Sequence, residues 1–501
     1  MTERPVPDRS YWLTRFLFLR MLGLVYAVAF LVVVNQWMPL LGSHGLLPAG
    51  AFLDRIAASH GRDTATFFQL PTLFWLDASD ATFRACGLVG LGLSLAVLAG
   101  FANVPVLAAL WLLYMSFVHV GQIFYGYGWE TLLLETGFLA IFLAPLGRTD
   151  PFPRTTPTPT VVIVLLRWLI FRVMLGAGLI KLRGDSCWRD LTCLVYHYET
   201  QPNPNPLSRY LHHLPVWFHQ IEVAFNHVVE LVAPFFVFGP RRARHVAGAL
   251  IVLFQVLLIL SGNLSFLNWL TITIAVACFD DGLLEHLVPS RVRTWIAERT
   301  AGAQETKARG IAVYVLAVVV GLLSLNPALN LLSPTQRMNT AYDPFDLVNS
   351  YGAFGSIGRE RYEIVLEGTD AEEPMEGAQW APYDFPCKPG AAVRRPCWIS
   401  PYHYRLDWQM WFAAMPGAGT EPWLVHLVAK LLQGDRAVRG LLAPGPFMDR
   451  PPRFVRARYY RYQFTRAGEK EWWRRTFTTD YLPPLSVDSP SLTEYLSRRG
   501  W

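Results

Sequence analysis

Apolar runs close to the length of a bilayer crossing recur through the first two-thirds of this 501-residue chain, beginning with YWLTRFLFLRMLGLVYAVAFLVVV. A hydrocarbon core about 30 Å thick takes about 20 apolar helical residues to cross. Inside it, only helices and closed barrels satisfy their own backbone groups. The runs therefore define a polytopic α-helical membrane protein, with membrane lipid as its first partner. Charged residues make up 16% of the chain, against about 25% in soluble domains. The net charge of +6 gathers beside the apolar runs, which suits membrane orientation and not nucleic-acid binding. The first run is too long for a signal-peptide core and lacks a small-residue cleavage site, so it reads as a retained helix. Arg-, Ala- and Pro-rich usage points to a bacterial source.

Length and periodicity predict about nine spans, near 11–34, 85–102, 105–123, 130–146, 161–182, 216–239, 246–261, 264–279 and 311–327. Alternating them places Arg4, Arg9, Arg148, Arg154, the RRAR at 241–244, Arg291, Arg293, Arg299, Lys307 and Arg309 on one side, the cytoplasm. Residues 1–327 then form a membrane domain with outer loops 35–84 and 184–215. Residues 328–501 form an outer domain, facing the periplasm in a bacterial inner membrane or the lumen in an endoplasmic reticulum membrane. In this tail, RYEIVLEGT and RARYYRYQFT alternate like half-exposed strands. PWLVHLVAKLLQGDRAVRGLL reads as an amphipathic helix. The expected tail is a strand-rich α+β domain.

Cys86 and Cys278 fall in or beside spans, whereas Cys187/Cys193 and Cys387/Cys397 form local pairs in outer segments. Local pairs in an oxidising compartment favour disulfides. For Cys187 and Cys193 a free-thiol state stays open, because a half-helical segment could hold the sulfurs apart. A zinc site from these two and His197 lacks the C-x₂-C spacing, and no metal or cofactor is expected.

Polar residues inside spans are costly and mark candidate sites. Lys181 sits near the outer end of its span in GAGLIKLRGD, where small residues allow close helix packing. Arg167 and Arg172 on the same span could snorkel toward the cytoplasm. Glu130 and Glu135 open the span YGWETLLLETG, and His119 and Gln122 close the preceding one beside Trp129. SGNLSFLNW brings Asn263, Ser265 and Asn268 to another outer turn. Four segments thus aim polar groups at one membrane level, as a ligand pocket or as a structural network. His219, Glu222, Asn226 and Glu230 line one face of the next helix, and internal hydrogen bonding is the favoured use. Neither a P-loop, G-x-S-x-G nor H-E-x-x-H occurs, which argues against soluble hydrolase or ATPase chemistry.

The segments GDSCWRDLTCLVYHYETQPNPNPLSRYLHHLPVWFHQIEVAFNHVVELVAPFF and SGNLSFLNWLTITIAVACFDD resemble signature regions of the lipase maturation factor family. RRPCWISPYHYRLDWQMWFAA and PPRFVRARYYRYQFT resemble its C-terminal region. The resemblance implies a membrane protein that helps secreted lipases reach their folded, active homodimeric form. A secreted, lipase-like client would meet the outer loop and tail. The candidate docking residues are Tyr196, His197, Tyr198, Glu199, Gln201, Pro204, His212 and His213. Asn203-Pro204 and Asn205-Pro206 are expected to hold this loop extended and to disfavour helix.

A shorter segment, GAGLIKLRGDSCW, is similar to the region of vitamin K-dependent γ-carboxylases that carries their catalytic lysine. That similarity implies an alternative: an intramembrane enzyme acting on a quinone or lipid headgroup, with Lys181 as base and Glu130, Glu135 or His119 nearby.

Overall fold

The computed structural model describes residues 10–147, 156–300, 306–375 and 377–501. Arg4, Arg9, Arg148 and Arg154 lie outside the described residues, as does the side chain of Arg299. Among the described residues, five helices are long and apolar enough to cross a membrane: Trp12–Leu41, Asp80–Ala99, Thr160–Arg183, Arg241–Ser261 and Lys307–Leu332. The pair Leu267–Cys278 and Asp281–Leu287, bent by 103°, makes a sixth if taken as one span.

The expected nine is not reached by length and composition, and the remaining apolar runs are shorter or broken. Val104–Val120 and Gly128–Leu143 are helices of 17 and 16 residues. At 1.5 Å per residue the second is only about 24 Å long. The run at 216–239 breaks into a helix to His227, a π turn over Val228–Val232 and a short helix from Ala233. A hydropathy window registers such pieces as spans because they are apolar, whatever their length or continuity.

Thr160–Arg183 is the central helix, packed against Gly128–Leu143, Leu267–Ala275, the π turn and Lys307–Leu323. Its glycines permit this. A Cβ on Gly178 would lie 2.6 Å from Leu231 Cδ2 and 3.0 Å from Glu230 Cβ, and one on Gly176 would collide with the Tyr351 carbonyl. Exposed apolar side chains such as Leu88, Val256, Val318 and Leu322 cover the outer faces of the long helices, as lipid contact requires.

The first helix is capped from far away. Asp281 accepts from the backbone N–H of Trp12 at 2.6 Å and of Leu13 at 2.8 Å, and from Ser10 Oγ at 2.7 Å. The carboxylate thus satisfies helix-end donors that would otherwise be orphaned.

Loop 184–215 is mostly helical, with turns over Ser186–Arg189, Leu194–Thr200 and Pro206–His212. The expected extended course is corrected at Asn205-Pro206. Asn205 caps the third helix through Leu207 N and Ser208 N, and Pro206 occupies its first position. Proline is well suited to that position, having no N–H to leave unsatisfied. Cys187–Cys193 and Cys387–Cys397 are disulfides, with Cα–Cα distances of 4.8 and 5.3 Å.

The tail carries one antiparallel sheet of β1 (Arg361–Thr369), β2 (Ala381–Tyr383), β3 (Phe454–Phe464) and β4 (Trp473–Leu485), in the order β2-β1-β3-β4. β1 and β3 fall on the two alternating segments, paired from Arg361↔Tyr462 to Thr369↔Phe454. Helices Arg405–Ala413 and Pro422–Leu432 pack on β1 and β3. The tail sits directly on the membrane helices: Gln36 Nε2 donates to His403 O at 2.8 Å, and Arg405 N donates to Gln36 Oε1 at 2.9 Å.

Candidate functional site

Lys181 projects from the last turn of the central helix and is 4% exposed. Its Nζ donates to Glu230 Oε1 at 2.5 Å, Glu230 Oε2 at 2.7 Å and Asn226 Oδ1 at 3.1 Å. The Trp188 ring lies 5.0 Å from Nζ. The close approach at Gly178 brings Glu230 within reach, and the π turn carries that carboxylate onto the Lys181 side. All three ammonium donors are therefore engaged within the protein.

This cluster forms one wall of a cavity of about 880 Å³. Trp129, Leu132, Met174 and Leu264 contribute apolar walls, and Trp408, Trp411 and Phe412 of the tail add to the lining. Trp129 stacks on Tyr127 at 4.3 Å between centroids and meets Trp408 edge-on at 4.8 Å. The loop contributes His197 and Tyr198. Tyr198 Oη donates to Glu222 Oε1 at 2.7 Å, and His219 Nδ1 lies 3.0 Å from Glu222 Oε2. Burial and the nearby Lys181 charge push the His197 pKa down to about 4, so its imidazole is neutral at physiological pH.

The other polar residues singled out in the sequence are distributed elsewhere. Glu135 pairs with Arg172 and also accepts from Tyr351 Oη at 2.7 Å and Asn349 N at 3.0 Å. Arg172 thus turns to a buried partner and does not snorkel; Arg167 likewise donates to Ala277 O at 2.8 Å and Tyr11 Oη at 2.9 Å. Glu130 accepts from Arg405 Nη1 at 2.7 Å, from Trp129 Nε1 at 2.9 Å and from Tyr114 Oη. His119 lies between Pro71 O and Asp346, and Gln122 donates to Leu47 O at 3.0 Å. Of the outer polar cluster, Trp129 and Asn268 line the cavity.

Asn263 and Ser265 instead join the tail to the loop. Asn263 Nδ2 donates to Asn203 O at 3.2 Å and Cys397 O at 3.0 Å, while its Oδ1 accepts from Ile399 N at 3.1 Å. Ser265 Oγ lies 2.8 Å from His403 Nδ1. Sequence reasoning missed the central element of this junction, Arg361. Its guanidinium donates to Gln201 O at 2.5 Å, Pro202 O at 2.9 Å and Glu199 O at 3.0 Å, and pairs with Glu363. An arginine opening a strand reads as an exposed strand end, and only the folded chain shows loop carbonyls converging on it.

Of the docking-loop residues, His197, Tyr198, Glu199, Gln201 and Pro204 are buried, Tyr196 and His212 are half-buried, and His213 is exposed. Glu199 Oε2 accepts from Phe464 N at 2.6 Å. Burial raises the Glu199 pKa from 4.5 to about 7, against the lowering effects of the Phe464 N–H, Arg361 and Arg461. His212, 3.5 Å away, is lowered to about 4, chiefly by burial.

The two groups act in opposite senses. The contribution of Glu199 to stability is full below pH 4.5 and is lost as pH rises through about 7. That of His212 is full above pH 6.5 and is lost as pH falls through about 4. Their effects largely cancel in the parent between pH 4.5 and 6.5. Glu199→Gln removes one arm, so its stability relative to the parent is expected to rise by about 3 kcal/mol from pH 4.5 to 7.5. Chemical denaturation of both proteins across that range measures it; a pH-independent difference would contradict the assignment.

Comparison with known proteins bears on both units. The profile described as lipase maturation factor transmembrane domain matches residues 13–286, and that of the lipase maturation factor C-terminal domain matches residues 347–483. Lipase maturation factor 1 of Bos taurus is 50% identical over 98% of this chain and 92% of its own length. Lipase maturation factor 1 of Homo sapiens is 49% identical over 98% of this chain and 91% of its own. Lipase maturation factor 2 of Mus musculus is 31% identical over 97% and 84%, respectively. No solved structure matches the chain.

Proposed function

The chain belongs to the lipase maturation factor family, and from that premise we propose that it is a membrane-bound factor assisting secreted lipases to their folded, active dimeric form. The observation that carries this reading is that similarity covers 98% of the chain and that both the membrane unit and the tail match family models. The geometry supports a single outer platform, because Arg361, Asn263 and Arg405 tie loop, tail and helices together.

The division intended is a membrane unit over 1–327 and an outer unit over 328–501. The outer unit and loop face the oxidising side, the periplasm or the endoplasmic reticulum lumen; the disulfides Cys187–Cys193 and Cys387–Cys397 favour that side. Client contact is assigned to what the loop leaves exposed. His197, Tyr198, Glu199, Gln201 and Pro204 hold the platform together from inside. His213 and Tyr210 are exposed, and Tyr196 and His212 are half-buried. Aromatic and imidazole side chains suit contact with the apolar surface of an immature hydrolase.

The test is co-expression of a secreted lipase with the full chain in cells lacking a maturation factor. Lipase activity per milligram secreted, and the dimer fraction by gradient sedimentation, are expected to rise at least fivefold. Equal specific activity with and without the chain would overturn the reading.

A further inference from the structure

β4 leaves one edge of the tail sheet open, and the residues along it define what can pair there. We propose that its stretch Arg474–Phe477 takes up an extended segment of a client polypeptide by strand addition, a segment that sets a carboxylate opposite Arg475 and an apolar side chain opposite Phe477. That the partner is a client rests on the maturation role; the chemistry of the edge does not.

In the order β2-β1-β3-β4, the last strand has a neighbour on one side only. Backbone N–H and C=O groups on its other side are a template for a further chain, and proteins usually blunt such edges. Both ends of β4 are blunted. Trp473 N donates to Ala392 O at 3.1 Å, which seats the start of the strand against a tail loop. At the far end Pro483 and Pro484 have no N–H to offer. There Tyr481 Oη donates to Gly419 O at 3.0 Å and accepts from Glu421 N at 3.3 Å. Between these ends every residue from Arg474 to Asp480 is exposed. Register against β3 is regular from Trp473↔Phe464 to Phe477↔Tyr460, and Thr478 is then bulged out. Arg474–Phe477 is therefore the part of the edge that can hold a partner in register.

Charge and shape along this stretch select the partner. Side chains alternate between the two faces of a strand, so Arg475 and Phe477 share a face. Cross-strand contacts fix them both: the Arg475 guanidinium lies 5.4 Å from the Tyr460 ring centre, and that of Arg458 lies 4.8 Å from the Phe477 ring. Tyr460 meets Phe477 edge-on at 5.7 Å, yet Phe477 stays 47% exposed. The neighbouring cations are matched, Arg458 by Asp480 at 3.4 Å and Arg461 by Glu360 at 3.1 Å. Among the described residues, neither Arg474 nor Arg475 has a carboxylate partner. Two unmatched cations beside an exposed ring complement a strand that carries an acidic residue and, two positions along on the same face, an apolar one. A client still folding offers such segments, because its own strands are transiently unpaired.

The test uses the full-length protein in detergent micelles, with no lipase present, and follows the fluorescence anisotropy of a labelled peptide, TDTVTDTVT. Saturable binding is expected. It should be at least tenfold weaker for the same peptide with Lys in place of Asp, and for a fully N-methylated version that has no N–H to donate. Arg475→Glu is expected to reverse the preference, weakening the Asp peptide about tenfold and strengthening the Lys peptide; the binding gained shows that the variant is folded. Equal binding of the Asp and Lys peptides, or of the N-methylated one, overturns the proposal. So does a disulfide between two copies of Thr476→Cys that shuts the peptide out, which would assign the edge to a second copy of the chain. Peptide binding as expected, with no rise in lipase activity on co-expression, would support the edge site and overturn the maturation reading instead.

Discussion

Arg405→Met is expected to destabilise the protein by about 3–5 kcal/mol, the range for leaving one member of a buried ion pair uncompensated. Arg405 and Glu130 are both fully buried, 2.7 Å apart, on opposite sides of the contact between tail and membrane helices. Arg405 also donates to Phe124 O at 2.6 Å and covers the Tyr125 ring at 3.4 Å. Its removal leaves the Glu130 carboxylate beside Tyr114 and Trp129 with no charge to balance it. The tail should then release before the membrane helices unfold. Limited proteolysis of membrane vesicles would show this as early cleavage after residue 333, with the helical part still protected. Arg405→Met combined with Glu130→Leu should recover more than half the loss, because two apolar groups of similar size replace the pair. Failure of the double variant to recover would mean that Arg405 acts through packing on Tyr125.

Lys181→Ala is expected to cost a similar amount, for the same reason, at a site with a different meaning. Here the stranded group is Glu230, 3% exposed and shared with Asn226. The informative variant is Lys181→Met with Glu230→Leu, which discards the charges and keeps the volume. If the role of Lys181 is to fix the π turn and shape the cavity, this double variant should be near parental in stability and should still mature a lipase. If it is stable and still binds the client but matures none, the γ-carboxylase-like alternative, with Lys181 as base, gains the ground. In the structure Lys181 Nζ spends its donors on Glu230 and Asn226, which favours the first outcome.

Local rules reached some parts of this molecule and not others. The alternation in RYEIVLEGT and RARYYRYQFT led to β1 and β3, because a half-buried strand repeats every two residues. The glycines before Lys181 marked a close approach, and the structure has one there. The partner of Lys181 was harder. Glu130 and Glu135 shared its membrane level, but Glu230 holds it, from a helix whose phase is changed by the π turn at Val228–Val232. An extra residue in one helical turn redirects a side chain and leaves no periodic trace.

The ion pair of Arg405 with Glu130 spans 275 positions, and Arg361 meets loop carbonyls some 160 positions earlier in the chain. Contacts of that range depend on how the tail settles on the helices. The span count is legible only in part: hydropathy measures how apolar a segment is, and the 16-residue helix Gly128–Leu143 is both apolar and enclosed by its neighbours.

The cap on the first membrane helix has a consequence for biosynthesis. Asp281 closes that helix from 269 positions downstream of Trp12. At about 5–20 residues per second, the ribosome delivers Asp281 between roughly 13 and 54 s after Trp12. Throughout that interval the opening turn of the helix must find its hydrogen bonds in water or lipid headgroups. Closure of the membrane unit is therefore an event timed by translation: a chain arrested before Asp281 holds an inserted but unlatched first helix, and only one long enough for Asp281 to have left the ribosome can lock.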